Sequence, residues 1–272
     1  SQSPTLIAGL GSYAFRWSIG HKDRIPSKPM TPIELLNTAV AMGFSVVQYA
    51  DNMPLHKISK TSLDILATAA KTHGIAIEVG VQSFDSSLVH EYLEIAKRLN
   101  AKILRVALDA QDAVTPLDKL GSELTTILPI ARDAKCQIAI ENHFDFPSRR
   151  MAKLLDQVND PTLGACLDVA NSICAGEWSE ETIEILAPYT INLHLKDYVI
   201  IPDPYGVGFA IHGCPLGQGL TNLSGVLAKL DHRPMSVIYE HWLPWPGNFK
   251  KAKDLEIDWT SCRTRSLKSL LV

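Results

Sequence analysis

Four polar side chains recur in the second half of the chain, each directly after a short apolar run. They are Glu141 in IENH, Asp168 in LDVAN, His194 in HLKD and Glu240 in YEHW. Any one of them could cap a helix or pair with a lysine, but an ionised group beside an apolar run is costly unless it is paired or coordinated. Three carboxylates and one imidazole suit Mn²⁺ or Mg²⁺ and accept Co²⁺ or Zn²⁺. The set therefore predicts a divalent-cation site, with Mn²⁺ favoured.

The elements that must position these residues are eight short apolar, β-branched runs, which we predict to be strands. They cover residues 5–13, 45–50, 75–81, 102–108, 136–143, 163–171, 191–199 and 235–242. Their apolar character is continuous rather than alternating, which is typical of strands buried on both faces of a parallel sheet. In a parallel barrel the carboxyl ends of all strands meet at one mouth. We therefore expect the four polar residues to converge there.

The segments between the predicted strands carry helix signals. Thr31-Pro32-Ile33-Glu34 combines a cap residue, a proline at the first helical position and a glutamate three residues after the cap. Ser179 is expected to cap a later helix, since two glutamates follow it. Eight such units without a linker or a composition break predict one α/β domain over residues 1–272, a single (β/α)8 TIM barrel. An open, doubly wound sheet is the alternative, but no GxGxxG follows the first strand.

The composition argues against several classes of partner. With 46% hydrophobic and 20% charged residues, the chain can bury a sizeable core. A net charge of −3 and a pI near 6.3 give no electrostatic reason to bind nucleic acid or an anionic membrane. No apolar run approaches the ~20 residues of a membrane span, and the first residues lack the features of a signal peptide. The five cysteines are scattered, which indicates reduced thiols and favours a cytoplasmic location.

The four motifs, in this order on a predicted barrel, resemble those of the xylose-isomerase-like TIM barrels. That superfamily includes sugar isomerases and epimerases, inosose dehydratase and the zinc-dependent endonuclease IV enzymes, and the resemblance covers essentially the whole chain. In its epimerase branch four side chains hold the metal, and the two glutamates also move the substrate proton. The resemblance thus implies that Glu141 and Glu240 act as ligands and catalytic acid/base, and that Asp168 and His194 act as ligands.

Two positions depart from the epimerase pattern. Asn171 stands three residues after the aspartate, where the epimerases usually have a histidine, and an amide cannot transfer protons near neutral pH. Lys196 follows the metal histidine, as in dehydratase and lyase relatives, and shares the strand face of His194. Its ammonium is expected either to act catalytically, by polarising a substrate carbonyl, or only to neutralise the carboxylates. The loop 208–219 is similar to one in a branch acting on oxidised sugars, including 3-oxo-isoapionate decarboxylases and enzymes that cleave 3-oxo-glycosides.

Further polar residues are candidate substrate-binding groups. They are Gln48, Arg105, His143, Asn171 and His212. Arg105 ends a predicted strand and is expected to face the mouth, as an anchor for a substrate hydroxyl or carboxylate; pairing with a helix carboxylate is the alternative. Three tryptophans are expected either to form an apolar wall of the pocket or to belong to the core or to a partner interface: Trp17, Trp242 and Trp245.

The stretch HGCPLGQGL, residues 212–220, has the glycine content of a phosphate-binding loop. It follows the seventh predicted strand rather than the first, and no P-loop lysine follows the second glycine. Glycine accepts positive φ at little cost. The favoured interpretation is therefore a tight loop around Gly217-Gln218-Gly219 that carries His212 over the mouth.

These observations favour a metal-dependent isomerase or epimerase acting on a sugar or an oxidised (keto) sugar through an enediolate. A lyase that decarboxylates or eliminates from a 3-oxo-sugar or keto-sugar acid shares this intermediate and is the alternative. An endonuclease IV-like repair enzyme would need more histidines at strand ends and a basic face. A catalytically dead barrel that binds sugars or partner proteins is a third hypothesis. The expected partner is a small-molecule sugar, and a homo-oligomer is possible.

Overall fold

Eight parallel strands close into a barrel in the computed structural model, which describes residues 6–230 and 233–271, with side chains up to residue 261. The ten strands are β1 Leu6–Gly11, β2 Val46–Tyr49, β3 Ala76–Gln82, β4 Ile103–Ala107, β5 Gln137–Glu141, β6 Leu163–Asp168, β7 Thr190–Leu195, β8 Asp197–Pro202, β9 Phe209–Cys214 and β10 Met235–Tyr239. The order around the barrel is β1-β10-β7-β6-β5-β4-β3-β2, and β8 and β9 form a separate hairpin. The predicted α/β TIM barrel is confirmed.

Helices connect the strands and cover the outside of the barrel. Those described are α1 Arg16–Ile19, α2 Pro32–Ala41, α3 Lys60–His73, α4 Ser86–Leu99, α5 Ala110–Ala113, α6 Leu117–Asp133, α7 Ser148–Val158, α8 Ser179–Leu186, α9 Leu223–Leu230 and α10 Phe249–Leu271. Every residue of β4 and β6 is buried, because barrel strands pack on side chains inside and on helices outside. No helix in the described ranges is long and apolar enough to cross a membrane.

Of the two helix N-caps predicted from the sequence, one is confirmed and the other is wrong. Thr31 caps α2 by accepting from the Glu34 amide, as predicted. The predicted cap at Ser179 is wrong, because Ser179 is the first residue inside α8 and its hydroxyl donates to the Val169 carbonyl.

Four cysteines carry free thiols, as expected: Cys136, Cys166, Cys174 and Cys214. The side chain of Cys262 lies outside the described residues.

The chain leaves the barrel earlier than predicted after its seventh strand. The predicted strand 191–199 is broken at Lys196: β7 ends at Leu195, and β8 pairs antiparallel with β9. Directly after this break the Asp197 carboxylate accepts hydrogen bonds from the backbone of a later loop, which ties that loop to the start of β8. The hairpin and its turn expose large apolar side chains, with Tyr205 92% and Phe209 69% exposed.

Candidate active site

The four predicted ligands converge at the carboxyl ends of the barrel strands. Glu141 ends β5, Asp168 ends β6, His194 lies in β7, and Glu240 directly follows β10. One ligand atom of each lies within 4.8 Å of the others. His194 Nδ1 is 3.3 Å from Glu141 Oε1, 3.5 Å from Glu240 Oε1 and 3.9 Å from Asp168 Oδ2. All four side chains are buried, so the expected meeting at one mouth is present.

The donor set fits a divalent cation. His194 Nε2 lies 2.6 Å from Gln48 Oε1, which can only accept, so Nε2 carries a proton and Nδ1 faces the carboxylates. His194 Nδ1 is buried and has no hydrogen-bond partner within the described part of the chain, while Asp168 Oδ2 lies beside the Lys196 ammonium. Buried polar atoms are normally satisfied. A cation held by these four residues would satisfy His194 Nδ1 and balance the charge of the three carboxylates.

Gln48 lies inside the barrel next to His194 and is buried, and its predicted substrate contact stays a prediction. Its amide nitrogen donates to Glu78 Oε1 and Asn192 Oδ1, both at 3.0 Å, and its oxygen faces His194. Asn192 and Ser236 donate to Glu78 as well. Both amide hydrogens of Gln48 are thus engaged within a buried network. The role that this arrangement supports is the orientation of the His194 ring.

Lys196 lies one residue beyond β7, and its ammonium points into the cluster. Its Nζ is 2.9 Å from Asp168 Oδ2 and 2.5 Å from Glu240 Oε1, and it lies 4.8 Å from the centre of the Trp242 ring. The side chain borders the pocket although it is buried. Burial lowers the pKa of a lysine, but the charges of Asp168 and Glu240 outweigh burial and raise it. Lys196 therefore remains an ammonium at neutral pH.

The two glutamates are carboxylates at neutral pH. Burial raises the pKa of Glu141, but the charges of Arg105 and His194 lower it to about 2. Burial also raises the pKa of Glu240, yet Lys196 and His194 hold it well below its usual range. In contrast, burial raises the pKa of Asp168 to about 6 despite the opposing charge of Lys196. Glu141 and Glu240 can therefore accept a proton, and Lys196 can donate one.

Two asparagines hold this geometry. Asn171 Nδ2 donates to Glu141 Oε1 at 2.9 Å, and its Oδ1 accepts from Lys196 at 3.4 Å. Asn142 bonds to the backbone of Asp168 twice, through Oδ1 at 2.8 Å and Nδ2 at 2.9 Å. Asn171 also borders the pocket, so its predicted substrate contact stays a prediction beside this positioning role.

Arg105 faces the mouth, as predicted, but its charge is already paired. The guanidinium contacts Glu141 through Nε and Asp51 Oδ1 through Nη1 at 2.9 Å. Asp51 also accepts from the Tyr13 hydroxyl at 2.6 Å. Arg105 borders the cavity, so its predicted contact with a substrate hydroxyl or carboxylate stays a prediction beside these ion pairs.

A cavity of about 380 Å³ opens above the cluster. His143 borders it half-buried, with its ring stacked on Phe144 at 4.2 Å between centroids. A neighbouring groove of about 640 Å³ shares four lining residues with the cavity: Arg16, Phe144, Asn171 and Trp242. His212, expected over the mouth, borders this outer groove. Its contact with a substrate stays a prediction.

The tryptophans divide between two environments. Trp242 borders both the cavity and the groove, as expected of a pocket wall. Trp17 and Trp245 pack on each other at 5.1 Å in a small separate core, so the core interpretation holds for them. Tyr13 and Arg16 also line the cavity and were not among the predicted site residues. Tyr13 is the last residue of the first predicted strand and Arg16 follows three residues later, so their position at a strand end was the available signal.

His241 contributes to the fold rather than to a metal site. Its Nε2 lies 2.7 Å from the Ala14 carbonyl, and its Nδ1 accepts from the Leu243 amide at 3.1 Å. Burial lowers the pKa of the ring to about 3, so it is neutral. Because backbone groups engage both nitrogens, His241 cannot serve as the additional ligand that an endonuclease IV-like site requires.

The glycine loop does surround an anion, but that anion is the protein's own Asp197. The amides of Gly217, Gly219 and Thr221 donate to the Asp197 carboxylate at 2.9–3.0 Å. Gly217 has φ +88°, and a Cβ on Gly219 would overlap Asp197 and the Tyr198 carbonyl. The tight-loop interpretation therefore holds, since the place of a phosphate is taken.

The protein is a closed parallel barrel whose mouth brings together three carboxylates and one histidine. The sequence profile of the xylose isomerase-like TIM barrel family matches residues 36–259, and the chain belongs to this family.

Similar proteins include enzymes that modify sugars. The chain is 29% identical over 257 residues to a 3-oxo-isoapionate decarboxylase of Pectobacterium atrosepticum, covering 94% of this chain and 92% of that protein. It is also similar in structure to a D-psicose 3-epimerase of Clostridium cellulolyticum solved with D-tagatose, with a TM-score of 0.72, 14% identity and coverage of 97% and 99%. A xylose isomerase-like TIM barrel protein of Mycobacterium smegmatis in complex with magnesium has a TM-score of 0.65 and 18% identity, with 97% of each chain covered. At these identities the two structures support the fold alone.

Proposed function

We propose that the protein is a divalent-metal-dependent lyase that decarboxylates a 3-oxo sugar acid. The observation that carries this proposal is the buried ammonium of Lys196, held between Asp168 and Glu240 at the edge of the cavity. The 29% identity with a decarboxylase of such a substrate, over nearly the whole chain, supports it.

Loss of CO₂ from a 3-oxo acid needs no base, but it needs stabilisation of negative charge. Cleavage of the bond to the carboxylate leaves its electron pair on the α-carbon, delocalised onto the 3-oxo oxygen as an enolate. A fixed cation beside that oxygen stabilises the charge as it develops, because Lys196 requires no reorganisation in a buried site. The α-carbon then takes a proton from the Lys196 ammonium, and solvent returns a proton to the amine.

Glu141, Asp168, His194 and Glu240 are the residues that would hold the cation. When bound, a divalent cation supplies Lewis-acid stabilisation to neighbouring substrate oxygens. The oxygen-rich set keeps Mn²⁺ as the favoured ion, with Mg²⁺, Co²⁺ and Zn²⁺ as alternatives. Beyond this role, Glu240 holds Lys196 at the edge of the cavity, and Glu141 is fixed by Arg105 and Asn171.

An epimerase or isomerase is the second candidate, because Glu141 and Glu240 are both ionised and border the cavity. Either carboxylate could remove a proton next to a carbonyl and leave an enediolate. Inversion also needs a proton donor on the opposite side. Asn171, which bridges Glu141 and Lys196, cannot be that donor.

Product analysis in D₂O distinguishes the two candidates. The metal-loaded protein is incubated with 3-oxo sugar acids and with neutral ketoses, and CO₂ release and deuterium incorporation are measured. A decarboxylase releases one CO₂ per product and places one deuterium at the former α-carbon. Exchange or inversion of neutral ketoses without CO₂ release would refute the decarboxylase proposal and leave the epimerase.

Lys196→Met provides the matched test of the lysine. We expect kcat/KM for decarboxylation to fall by roughly 10²-fold or more while bound metal is retained. Lys229→Met is the control, because Lys229 forms an exposed ion pair with Glu184 on the outside of the barrel. If Lys196→Met keeps the wild-type rate, the lysine is only a neutralising charge.

Self-association stays a prediction. The hairpin exposes several large apolar side chains, an arrangement typical of contact surfaces. Sedimentation of the wild type and of a Tyr205→Ser, Phe209→Ser double variant tests it. If the double variant has the same sedimentation mass as the wild type, the hairpin forms no interface between copies of the chain.

A further inference from the structure

Three basic residues of the segment that follows β1 lie on the wall of the cavity. Arg16 in α1 and the following His21 and Lys22 all border the cavity. Among the described residues, no carboxylate lies within salt-bridge distance of any of the three. Burial lowers the pKa of His21, and the charges of Arg16 and Lys22 lower it further, so the ring is neutral at neutral pH. The positive charges of Arg16 and Lys22 would both attract an anion bound beside them, and that anion would favour protonation of the His21 ring.

Arg16 is held in place for such a contact. Its Nη2 donates to the Leu243 carbonyl, and the guanidinium carbon lies 4.4 Å from the Trp17 ring centre. Its Nε is buried and lacks a hydrogen-bond partner within the described part of the chain. The next turn is fixed by Glu256, whose carboxylate accepts from the Trp17 amide at 3.0 Å and the Ser18 amide at 3.1 Å. A fixed guanidinium with an unused donor is a preorganised anion site.

The opposite side of the cavity has the opposite charge. Asp109 follows β4 and Asp145 follows β5, and both border the cavity. In an eight-stranded barrel β5 lies across from β1. A bound molecule therefore meets cations at one end, carboxylates at the other, and the Lys196 cluster between them.

We propose that Arg16, assisted by His21 and Lys22, forms an anion subsite that binds the carboxylate of the substrate. The hydroxyl groups of the sugar chain then point toward Asp109 and Asp145. This inference deepens the proposed function and rests on it for the identity of the substrate. Guanidinium matches a carboxylate in geometry and charge. The contact orients the acid before the reaction and is lost when CO₂ leaves, so Arg16 contributes to substrate affinity more than to turnover.

Three probes that share the same six-carbon chain and differ in their charged group test the subsite by calorimetry. They are D-gluconate, D-glucitol and D-glucitol 6-phosphate. We expect the wild type to bind gluconate about tenfold or more tightly than glucitol, the scale of a charge-assisted hydrogen bond. Arg16→Gln should remove that preference, and Arg16→Lys should retain part of it. Arg24→Gln is the control, since Arg24 is an exposed neighbour that stacks on Trp245. Circular dichroism establishes that each variant is folded.

The titrations are repeated with and without Mg²⁺ because gluconate also chelates metals. A gluconate preference that requires Mg²⁺ and survives Arg16→Gln would place the carboxylate at the metal ligands and overturn the proposal. An Arg16-dependent preference for glucitol 6-phosphate over gluconate would assign the subsite to a phosphate and overturn it too. If Arg16 controls gluconate binding but no 3-oxo acid releases CO₂, the subsite stands and the proposed function fails. With an active substrate, Arg16→Gln should raise KM about tenfold or more and leave kcat within about threefold.

Discussion

The buried carboxyl group of Glu256 makes the stability of the fold depend on pH in a predictable direction. Glu256 is fully buried beneath the turn that carries Arg16. Burial raises its pKa from 4.5 to about 7, although hydrogen bonds from Ser18 and Trp17 oppose the increase. The folded protein therefore binds this proton more tightly than the unfolded chain does. Its contribution to stability is complete below pH 4.5 and is lost as the pH rises through 7.

The size of the effect follows from the two pKa values. At about 1.4 kcal/mol for each pH unit, the difference between 4.5 and about 7 corresponds to about 3 kcal/mol between acidic and alkaline conditions. Glu256→Gln cannot ionise and retains one carbonyl oxygen for the Ser18 donors. We therefore expect the variant to lose about 1 kcal/mol at low pH, where one acceptor is replaced. Above pH 8 it should equal or exceed the wild type.

The assay is urea denaturation of both proteins at pH 5.5, 7.0 and 8.5, with Glu94→Gln as an exposed control. At each pH the free energy of unfolding of the variant is subtracted from that of the wild type. The contributions of titrating groups that the substitution leaves unchanged cancel in this difference. Part of the effect is already lost at pH 5.5, so a difference in unfolding free energy that changes by about 2 kcal/mol between pH 5.5 and 8.5 supports the reasoning. Parallel profiles for wild type and Glu256→Gln would refute it.

Three further substitutions test the site. Glu240→Gln should lower turnover by roughly 10²-fold or more with substantial substrate binding retained, because a neutral amide no longer holds the Lys196 ammonium by its charge. Metal content is measured on the same sample, and normal turnover of a fully loaded variant would remove Glu240 from the mechanism. Gln48→Leu should weaken metal binding by roughly 10–100-fold because His194 loses the acceptor that orients it. An unchanged affinity for the metal in a calorimetric titration would show that the ring needs no such support. Gly219→Ala should lower the melting temperature, because its Cβ overlaps Asp197 and the Tyr198 carbonyl; a wild-type melting curve would contradict the tight-loop assignment.

The barrel and its four converging residues could be predicted from the sequence because both depend on local patterns. Buried parallel strands are apolar throughout, so the polar residues that end them stand out in the sequence. The carboxyl ends of such strands face one mouth in any closed parallel barrel. Glu141, Asp168 and Glu240 could therefore be grouped without coordinates. Even the glycine loop was assigned correctly as a tight turn, since glycine spacing indicates backbone geometry.

Tertiary structure alone decided which charges are paired and how deep each polar side chain lies. Gln48 also ends an apolar strand, but the stagger of the strands places it beneath His194 instead of at the cavity. Arg105 and Lys196 have carboxylate partners from other strands, whereas Arg16 has none within salt-bridge distance among the described residues. These differences depend on distances between segments far apart in the chain. Electrostatic energy varies with separation and burial, and neither quantity is encoded in the local pattern that predicts a strand.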